Sequence, residues 1–358
     1  MGSGVLGYGV AIPRRRIRIE EINDVWKNMP LQAVKGRKVK ERGVLGPDED
    51  TVTLGADAAQ KAMKMSGLDR EKIGALILGT QTSPYHTRPA ASMLVDILGL
   101  RNDVFATDIQ FSGKSGTSAL LIALAYVNSG MAEAAIAIGS DTLSYHVSPG
   151  DSQEYVASSG ACAMVVGRGA GIAEIEKSAS YTTDTPDYFR LDGERYIRSG
   201  GSAMTNTGVG LQENMLGAWK SVNGNKAYAP DSFRYLAIQQ EDGKAPFQVG
   251  QMLGFSKEQI TPGFFSDFLG DCGSASALIS LAKVLDGAAP DERIAAISYG
   301  SGAGSDALIL KTTSKIGQIY RKPSVSDLIS RKTMVDYSTY IKLERKYDTH
   351  ERKTSTFD

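Results

Sequence analysis

Cysteine and histidine are scarce in this chain, which has two cysteines and three histidines among 358 residues. None of the five falls at a spacing typical of metal ligands, so we expect no metal site, and two cysteines cannot build a disulfide framework. The sequence also lacks an apolar run of about 18 residues, the length that a membrane-spanning helix needs. Because no charged segment followed by an apolar one opens the chain, we predict no secretory signal and expect a cytoplasmic location.

Net charge is missing as well. Lysine and arginine together number 40, as do aspartate and glutamate, so the formal net charge is zero. A chain without a net positive field is a poor candidate for binding nucleic acid or an anionic membrane. Its hydrophobic content of 42% is ample for a buried core, so the sequence predicts a globular protein.

Short β-branched runs alternate with alanine-rich stretches along the chain, a pattern typical of an α/β fold. The predicted strands cover residues 5–11, 75–79, 134–139, 236–239 and 294–299. The glycine-rich segment 299–306 lacks the Gly-Lys-Ser/Thr ending of a phosphate-binding loop and runs into an apolar strand. We therefore predict a strand-turn-strand bend there.

The chain contains an internal repeat. Residues 115–125 align with residues 272–282 at five identities in eleven positions, and each copy is followed by a glycine-containing turn and a strand. Chance similarity between two buried helices is the alternative, but the shared order of elements favours a duplication. This organisation predicts an N-terminal half at 1–170 and a C-terminal half at 171–313, followed by a basic C-terminal extension at 314–358.

The extension carries more basic than acidic residues and several interleaved tyrosines. It cannot bury a core of its own, so it is either a solvated terminus or an arm that docks on another chain. The tyrosines favour the arm, because aromatic residues are enriched at interfaces.

Residues 108–117 have the build of a strand-to-helix elbow, which presents a nucleophile at a helix N-terminus. Gly113 stands at its apex and has no side chain. Ser112 precedes the apex without a histidine assigned to activate it. Cys272 begins the second copy of the repeated helix, where a helix N-terminus could lower its pKa, although a small buried hydrophobe is the simpler interpretation.

Together with residues 46–51, 144–160, 181–187 and 298–306, this elbow resembles the thiolase superfamily, and within it the branch of 3-hydroxy-3-methylglutaryl-CoA synthases and ketoacyl synthases III. The similarity runs from Gly4 to about Tyr347. It implies an α/β chain with a thiolase-like five-layered αβαβα fold, internally duplicated and usually dimeric.

Members of that branch use a thiolate that takes an acyl group from CoA, a histidine, and a carboxylate or amide beside it. Position by position, the resemblance puts the cysteine at Gly113, the acid-base glutamate at Gln81, the histidine at Gln239 and the asparagine at Asp271. A glycine cannot form a thioester, and a glutamine cannot exchange a proton near neutral pH. The resemblance therefore implies no catalytic residue and no cofactor, and it leaves the backbone at Gly113 and Ser301 as an oxyanion-type site.

Residues 111–120, 195–200 and 335–347 are similar to the A subunits of bacterial monoacetylphloroglucinol acetyltransferases. That resemblance implies a non-catalytic subunit of a multi-component acyltransferase, which transfers acetyl groups onto a phenolic carbon in secondary metabolism. The implied partners are a second copy of the chain, a thiolase-like catalytic subunit and a small OB-fold zinc-ribbon subunit. Two alternatives stay open: a stand-alone condensing enzyme of the synthase type with its nucleophile relocated to Ser112 or Cys272, and an acyl-CoA-binding protein without chemistry.

Overall fold

The computed structural model of the chain describes residues 2–110, 112–185, 187–199, 210–224 and 228–347. Phe111 of the predicted elbow, Gly200 and residues 348–358 of the basic extension lie outside these ranges. The strands within them are β1 Ser3–Ala11, β2 Arg15–Arg18, β3 Glu41–Val44, β4 Ile73–Gly79, β5 Phe105–Ile109, β6 Ala134–Thr142, β7 Ser159–Arg168, β8 Ala173–Tyr181, β9 Tyr188–Phe189, β10 Arg198–Ser199, β11 Tyr235–Ile238, β12 Arg293–Ile297, β13 Ser305–Thr312 and β14 Thr333–Met334. The α-helices within them are α1 Ile19–Trp26, α2 Leu31–Gly36, α3 Thr51–Ser66, α4 Ala90–Ile97, α5 Ser115–Asn128, α6 Leu211–Asn223, α7 Ala245–Met252, α8 Lys257–Ile260, α9 Ser266–Leu269, α10 Ser276–Gly287, α11 Val325–Ser330 and α12 Tyr337–Leu343.

Nine of these strands form one mixed sheet, in the order β11-β12-β13-β8-β1-β7-β6-β4-β5. In the first half β4 runs parallel to β6, and β6 runs antiparallel to β7. In the second half β11 runs parallel to β12, and β12 runs antiparallel to β13. Helix α5 leads into β6 and helix α10 leads into β12, so both halves share one topology and the predicted duplication is confirmed.

Side-chain alternation along the strands sorts the core into layers. In β4, Ile77 packs in a central cluster with α5 and α10, whereas Leu76 packs with α3 and α4 on the other face. In β12, Ile294 packs in the same central cluster, whereas Ala295 packs with α6. The two halves of the sheet therefore form two separate layers, and the order of layers is helix, sheet, helix, sheet and helix, which confirms the five-layered α/β fold.

The predicted strands are all present, and the glycine-rich segment 299–306 forms the bend between β12 and β13 as predicted. A parallel pair buried on both faces is mostly apolar, which is why β4 and the first part of β6 stand out in the sequence. Among the described residues, no helix combines the length and the apolarity that crossing a bilayer requires.

The described part of the basic extension packs on this same chain. Strand β14 pairs with β2, and Tyr340 of α12 is buried against the guanidinium of Arg42, 4.3 Å from the ring centroid. The Tyr340 hydroxyl donates to Oε1 of the buried Glu154 at 3.0 Å. A guanidinium, a phenol and a carboxylate thus lie together between the extension and the N-terminal half.

Two further groups join the extension to the loop 143–147. The carboxylate of Glu344 accepts a hydrogen bond from the hydroxyl of Ser144 at 2.8 Å. The ammonium of Lys346 donates to the carbonyl oxygen of Val147, and both partners are buried. Leu143 and Val147 also form one wall of a pocket, so the extension supports that wall from behind.

Candidate active site

The four positions at which the resemblance puts the family's catalytic residues line one pocket, beside the ends of β4, β5 and β11. Gln81, Gly113, Gln239 and Asp271 border a cavity of about 60 Å³, which gives room for a few water molecules or a small acyl group. No lysine or arginine of the described chain lines it. The rest of the lining is Ser112, Leu143, Val147, Asp151, Gln153, Ala157, Tyr188, Ile197, Glu241, Gly273, Tyr299 and Ser301.

Gly113 leaves no room for a side chain at the apex of the elbow. A Cβ there would lie 2.6 Å from the carbonyl oxygen of Tyr299 and 3.2 Å from Nε2 of Gln239. Carbon and a backbone oxygen do not approach that closely, so the bend between β12 and β13 occupies the place of the side chain. Since Gly113 is not among the residues with a left-handed backbone, the restriction is steric.

Ser112 is the residue of the elbow with an unusual backbone, at φ 50°. Its hydroxyl donates to Oε1 of Gln81 at 3.2 Å, and Nε2 of Gln81 donates to Asp141 at 3.1 Å. No histidine or lysine of the described ranges hydrogen-bonds to Ser112, so this hydroxyl has no neighbouring base to activate it.

Asp141 fixes this side of the pocket. It is fully buried, and its carboxylate accepts hydrogen bonds from the hydroxyls of Thr80 and Thr82, both at 2.8 Å. The backbone N–H groups of Gln81 at 2.9 Å and of Ser274 at 2.7 Å donate to it as well. Burial raises the pKa of Asp141, while these donors favour its ionised form. Its lone pairs are occupied by these contacts, so we assign it a structural role.

Gln240 explains why the residues on either side of it face the pocket. It is fully buried, and its hydrogen bonds hold the chain just after β11. Its partners are the Ser276 hydroxyl, the Gly263 carbonyl, and the N–H groups of Phe265 and Ser266, at 2.8 to 3.0 Å. Gln239 and Glu241 both line the pocket, whereas Gln240 does not.

Gln239 keeps one hydrogen-bonding group open. Its Nε2 donates to the carbonyl oxygen of Gly273 at 3.0 Å. Its Oε1 is buried and has no hydrogen-bond partner within the described chain. A buried amide oxygen without a donor is costly, so this atom is available to a donor group of a ligand or of water.

Asp271 is held rigidly at the pocket wall. Its N–H donates to the carbonyl oxygen of Val156 and its own carbonyl accepts from Ser158, both at 2.8 Å, and its Oδ1 accepts from the N–H of Gly273 at 2.9 Å. Burial raises the pKa of Asp271 from 3.8 to about 7, and the nearby charges of Asp141 and Asp242 act in the same direction. The carboxyl therefore gains and loses its proton near neutral pH.

Glu241 is the second carboxyl group in the pocket. Burial raises its pKa well above the usual range, and the negative charge of Asp271 adds to this. It makes no hydrogen bond to any other residue that the structure describes. The sequence does not single it out, although its place two residues after Gln239 on extended chain puts both side chains on one face.

The two thiols lie away from the pocket. Cys162 on β7 and Cys272 before α10 are both fully buried, and burial raises the pKa of each. The Sγ of Cys272 lies 3.5 Å from the carbonyl oxygen of Ser159. Relocation of the nucleophile to Cys272 thus finds no geometric support, because a buried neutral thiol is a poor nucleophile.

We expect neither thiol to react in the native protein. Iodoacetamide at pH 8 should add no mass to the folded chain and two equivalents to the chain unfolded in guanidinium chloride, because only unfolding exposes the sulfurs. Intact-mass spectrometry measures this, and rapid labelling of one thiol in the folded protein would show that Cys272 is more accessible than its burial indicates.

A wider cavity of about 250 Å³ adjoins the pocket at Gln81, Ser112 and Tyr188. Arg190 and His146 lie on its wall. Burial lowers the pKa of His146 to about 4, so its imidazole is neutral at physiological pH. Within the described ranges no cluster of three histidine, cysteine or acidic side chains is arranged to hold a metal ion.

The chain resembles proteins of known activity along nearly its whole length. Residues 32–163 match the family model of the thiolase N-terminal domain. The chain is 38% identical to the hydroxymethylglutaryl-CoA synthase of Pyrobaculum arsenaticum over 347 residues, 96% of this chain and 98% of that protein. It is 39% identical to the enzyme of the same name from Archaeoglobus fulgidus over 344 residues, with the same coverage.

Solved structures agree on the fold. An HMG-CoA synthase complexed with CoA superposes with a TM-score of 0.85 at 19% identity, over 99% of this chain and 93% of that chain. A 3-oxoacyl-(acyl carrier protein) synthase III from Pseudomonas aeruginosa PAO1 superposes with a TM-score of 0.78 at 19% identity, over 87% of this chain and 99% of that chain. At such identities the superpositions establish the thiolase-like fold alone.

The expected role as a non-catalytic subunit of a phenol acetyltransferase is wrong. The relatives at 38% and 39% identity are synthases matched from end to end, and neither bears the name of a monoacetylphloroglucinol acetyltransferase subunit. They favour the stand-alone alternative. The pocket that Gln81, Gly113, Gln239 and Asp271 border has open space and a titratable carboxyl group. The thiolase-like and OB-fold partner subunits stay predictions.

Proposed function

The chain belongs to the hydroxymethylglutaryl-CoA synthase family, and from this we propose that it is a stand-alone condensing enzyme, which joins two acyl thioesters of coenzyme A through a new carbon–carbon bond. The product named for its relatives carries a tertiary alcohol at C3. Formal cleavage of the carbon–carbon bond between C3 and a neighbouring methylene group divides the product into the units of an acetyl thioester and a 3-oxobutanoyl thioester. Acetyl-CoA as donor and acetoacetyl-CoA as acceptor are therefore the substrates we propose.

The position and the raised pKa of Asp271 are the observation that carries the proposal. Its carboxylate lies at the wall of a small pocket, and its pKa of about 7 suits a general base at physiological pH. It would take a proton from the methyl carbon of acetyl-CoA, and the electron pair of the broken C–H bond would form the enolate. The enolate carbon would then attack the ketone carbon of the acceptor, whose oxygen takes up a proton.

This route needs no acyl-enzyme. The donor stays attached to its own CoA throughout, which agrees with the occupied space at Gly113. After condensation, water would hydrolyse one thioester of the adduct and release free CoA together with a carboxylate. The backbone at Gly113 and Ser301 lines the same pocket, and we propose both as donors to the enolate oxygen.

Deuterium exchange into acetyl-CoA tests the proposal directly. The purified chain in D₂O should exchange the methyl protons of acetyl-CoA, detected by mass spectrometry, and should release CoA when acetoacetyl-CoA is added. Protein unfolded by heat is the control for exchange without the enzyme. Binding of acyl-CoA without exchange or CoA release would favour the acyl-CoA-binding protein instead.

We also propose a homodimer that forms along β5. This strand pairs only with β4 within the described chain, so its other edge is unpaired. Phe105 on it is 41% exposed and stacks on Tyr126 of α5, with ring centroids 4.7 Å apart. Unprotected strand edges invite pairing with another chain, and a second copy presents the same edge.

Light scattering should give twice the mass of the chain. Phe105→Lys puts a charge at the strand edge and should shift the population towards monomer. Met252→Lys is the matched control, because Met252 is 51% exposed on α7 in the other half. A wild-type mass of one chain at micromolar concentration would contradict the dimer.

A further inference from the structure

Two carboxyl groups face one cavity that has no lysine or arginine of the described chain in its lining. Asp271 and Glu241 both border it, and after burial the largest influence on Glu241 is the charge of Asp271. Two negative charges in a confined site of low dielectric constant repel strongly, so such pairs tend to share one proton. The repulsion therefore favours a state in which one of the two carboxyl groups is ionised and the other is protonated.

The surroundings decide which group holds the proton. Oδ1 of Asp271 accepts a hydrogen bond from the N–H of Gly273, which stabilises the ionised form. Glu241 has no such donor within the described chain, and two further carboxyls, those of Asp242 and Asp187, disfavour its charge. Asp271 is accordingly the carboxylate of the pair, and Glu241 is the acid.

The unpaired Oε1 of Gln239 gives independent evidence that this corner receives a ligand. The atom is buried and without a partner in the described chain, and Gln239 and Glu241 project from the same face of the segment that Gln240 anchors. Gln239 itself is 3% exposed. A hydrogen-bond donor of a ligand would satisfy the amide oxygen of Gln239, while an acceptor atom of the same ligand would face the protonated carboxyl group of Glu241.

We infer that Glu241 is the acid of the reaction and gives its proton to the ketone oxygen of the acceptor as the new carbon–carbon bond forms. The inference rests on the proposed function. In the step, Asp271 gains the proton that leaves the donor's methyl carbon, the enolate electron pair becomes the new bond, and the ketone oxygen gains the proton of Glu241. Solvent then returns one proton to Glu241 and removes one from Asp271, so protons and electrons balance.

Two activities separate the roles of the carboxyls. Exchange of the methyl protons of acetyl-CoA alone needs only Asp271, whereas condensation with acetoacetyl-CoA needs both groups. Glu241→Gln keeps the shape of the side chain and can still donate a hydrogen bond, but its amide cannot transfer a proton to the ketone oxygen. We expect it to keep exchange close to the wild-type rate and to lose condensation by about 10²- to 10⁴-fold. Glu241→Asp should recover part of the loss, because it restores an acid on a shorter side chain.

Asp151→Asn is the matched control, since Asp151 also lines the pocket but its carboxylate accepts from the N–H of Gln153 at 2.7 Å. It should leave the ratio of condensation to exchange unchanged. Condensation by Glu241→Gln at the wild-type rate would overturn the inference alone, with the proposed function intact. A wild-type chain that neither exchanges nor condenses would overturn both.

Discussion

Asp271→Asn is expected to lose the exchange of acetyl-CoA methyl protons by about 10²- to 10⁴-fold, the contribution typical of a positioned general base. Asparagine has nearly the same shape as aspartate and keeps the oxygen that accepts from Gly273, but it cannot take up a proton. In the wild type the rate should rise with pH and level off above about 7, as the carboxylate forms. Mass spectrometry of acetyl-CoA in D₂O across this pH range measures both effects.

The same variant should be more stable than the wild type at high pH. The folded-state pKa of Asp271 is raised by burial from 3.8 to about 7, so between these values the folded chain holds a proton that the unfolded chain has released. The free energy of unfolding of the wild type therefore falls as the pH rises through this window. Asparagine removes the effect, and urea titration should show a gain of about 2 to 4 kcal/mol at pH 8 and little at pH 4.

Asp151→Asn serves as the matched control for both measurements. Asp151 also lines the pocket, but its carboxylate caps a turn by accepting from the N–H of Gln153 at 2.7 Å. The Asp151→Asn variant should still exchange the methyl protons of acetyl-CoA and should not be more stable than the wild type at pH 8. If Asp271→Asn exchanged protons as fast as the wild type, Asp271 would not be the base.

Restoring a cysteine at the apex should fail to restore a thioester enzyme. In Gly113→Cys the new Cβ would lie 2.6 Å from the carbonyl oxygen of Tyr299, so the bend after β12 must move. Overpacking of a rigid interior typically costs about 1 to 3 kcal/mol. We expect a lower free energy of unfolding in urea and no acetyl adduct by intact-mass spectrometry after incubation with acetyl-CoA.

Gly113→Ala separates the steric effect from the thiol. Alanine adds the same Cβ without sulfur, so it should show most of the destabilisation that the cysteine variant shows. An acetylated Gly113→Cys protein of wild-type stability would contradict this, since it would mean that the pocket accommodates a nucleophilic side chain at this position. That result would also weaken the case for a route without an acyl-enzyme.

Much of the fold could be predicted from the sequence, because the determining signals are local. The apolar runs of β4 and β6, and the repeated pattern of α5 and α10, are visible residue by residue. The resemblance also singled out Gln81, Gly113, Gln239 and Asp271, and the structure brings these residues together at one pocket, while their correspondence to catalytic positions stays a prediction. The strand and repeat signals depend on features that survive when individual side chains change.

The chemistry of the pocket could not be predicted in the same way, because it depends on distant parts of the chain. The pKa of Asp271 is raised by burial, and that of Glu241 by burial and by Asp271, which lies 30 positions later in the sequence. The carbonyl that fills the space above Gly113 belongs to Tyr299, from the other half. Residue types alone indicated a lost thiolate, and this led to the mistaken expectation of a subunit without chemistry.

The contacts of Glu344 and Lys346 with the loop 143–147 also bear on how the protein is made. During synthesis the N-terminal half leaves the ribosome long before these two residues exist, so the pocket wall at Val147 lacks both contacts until residues 344 and 346 have been made. The N-terminal half can therefore fold before its pocket wall has all the contacts that it has in the finished structure.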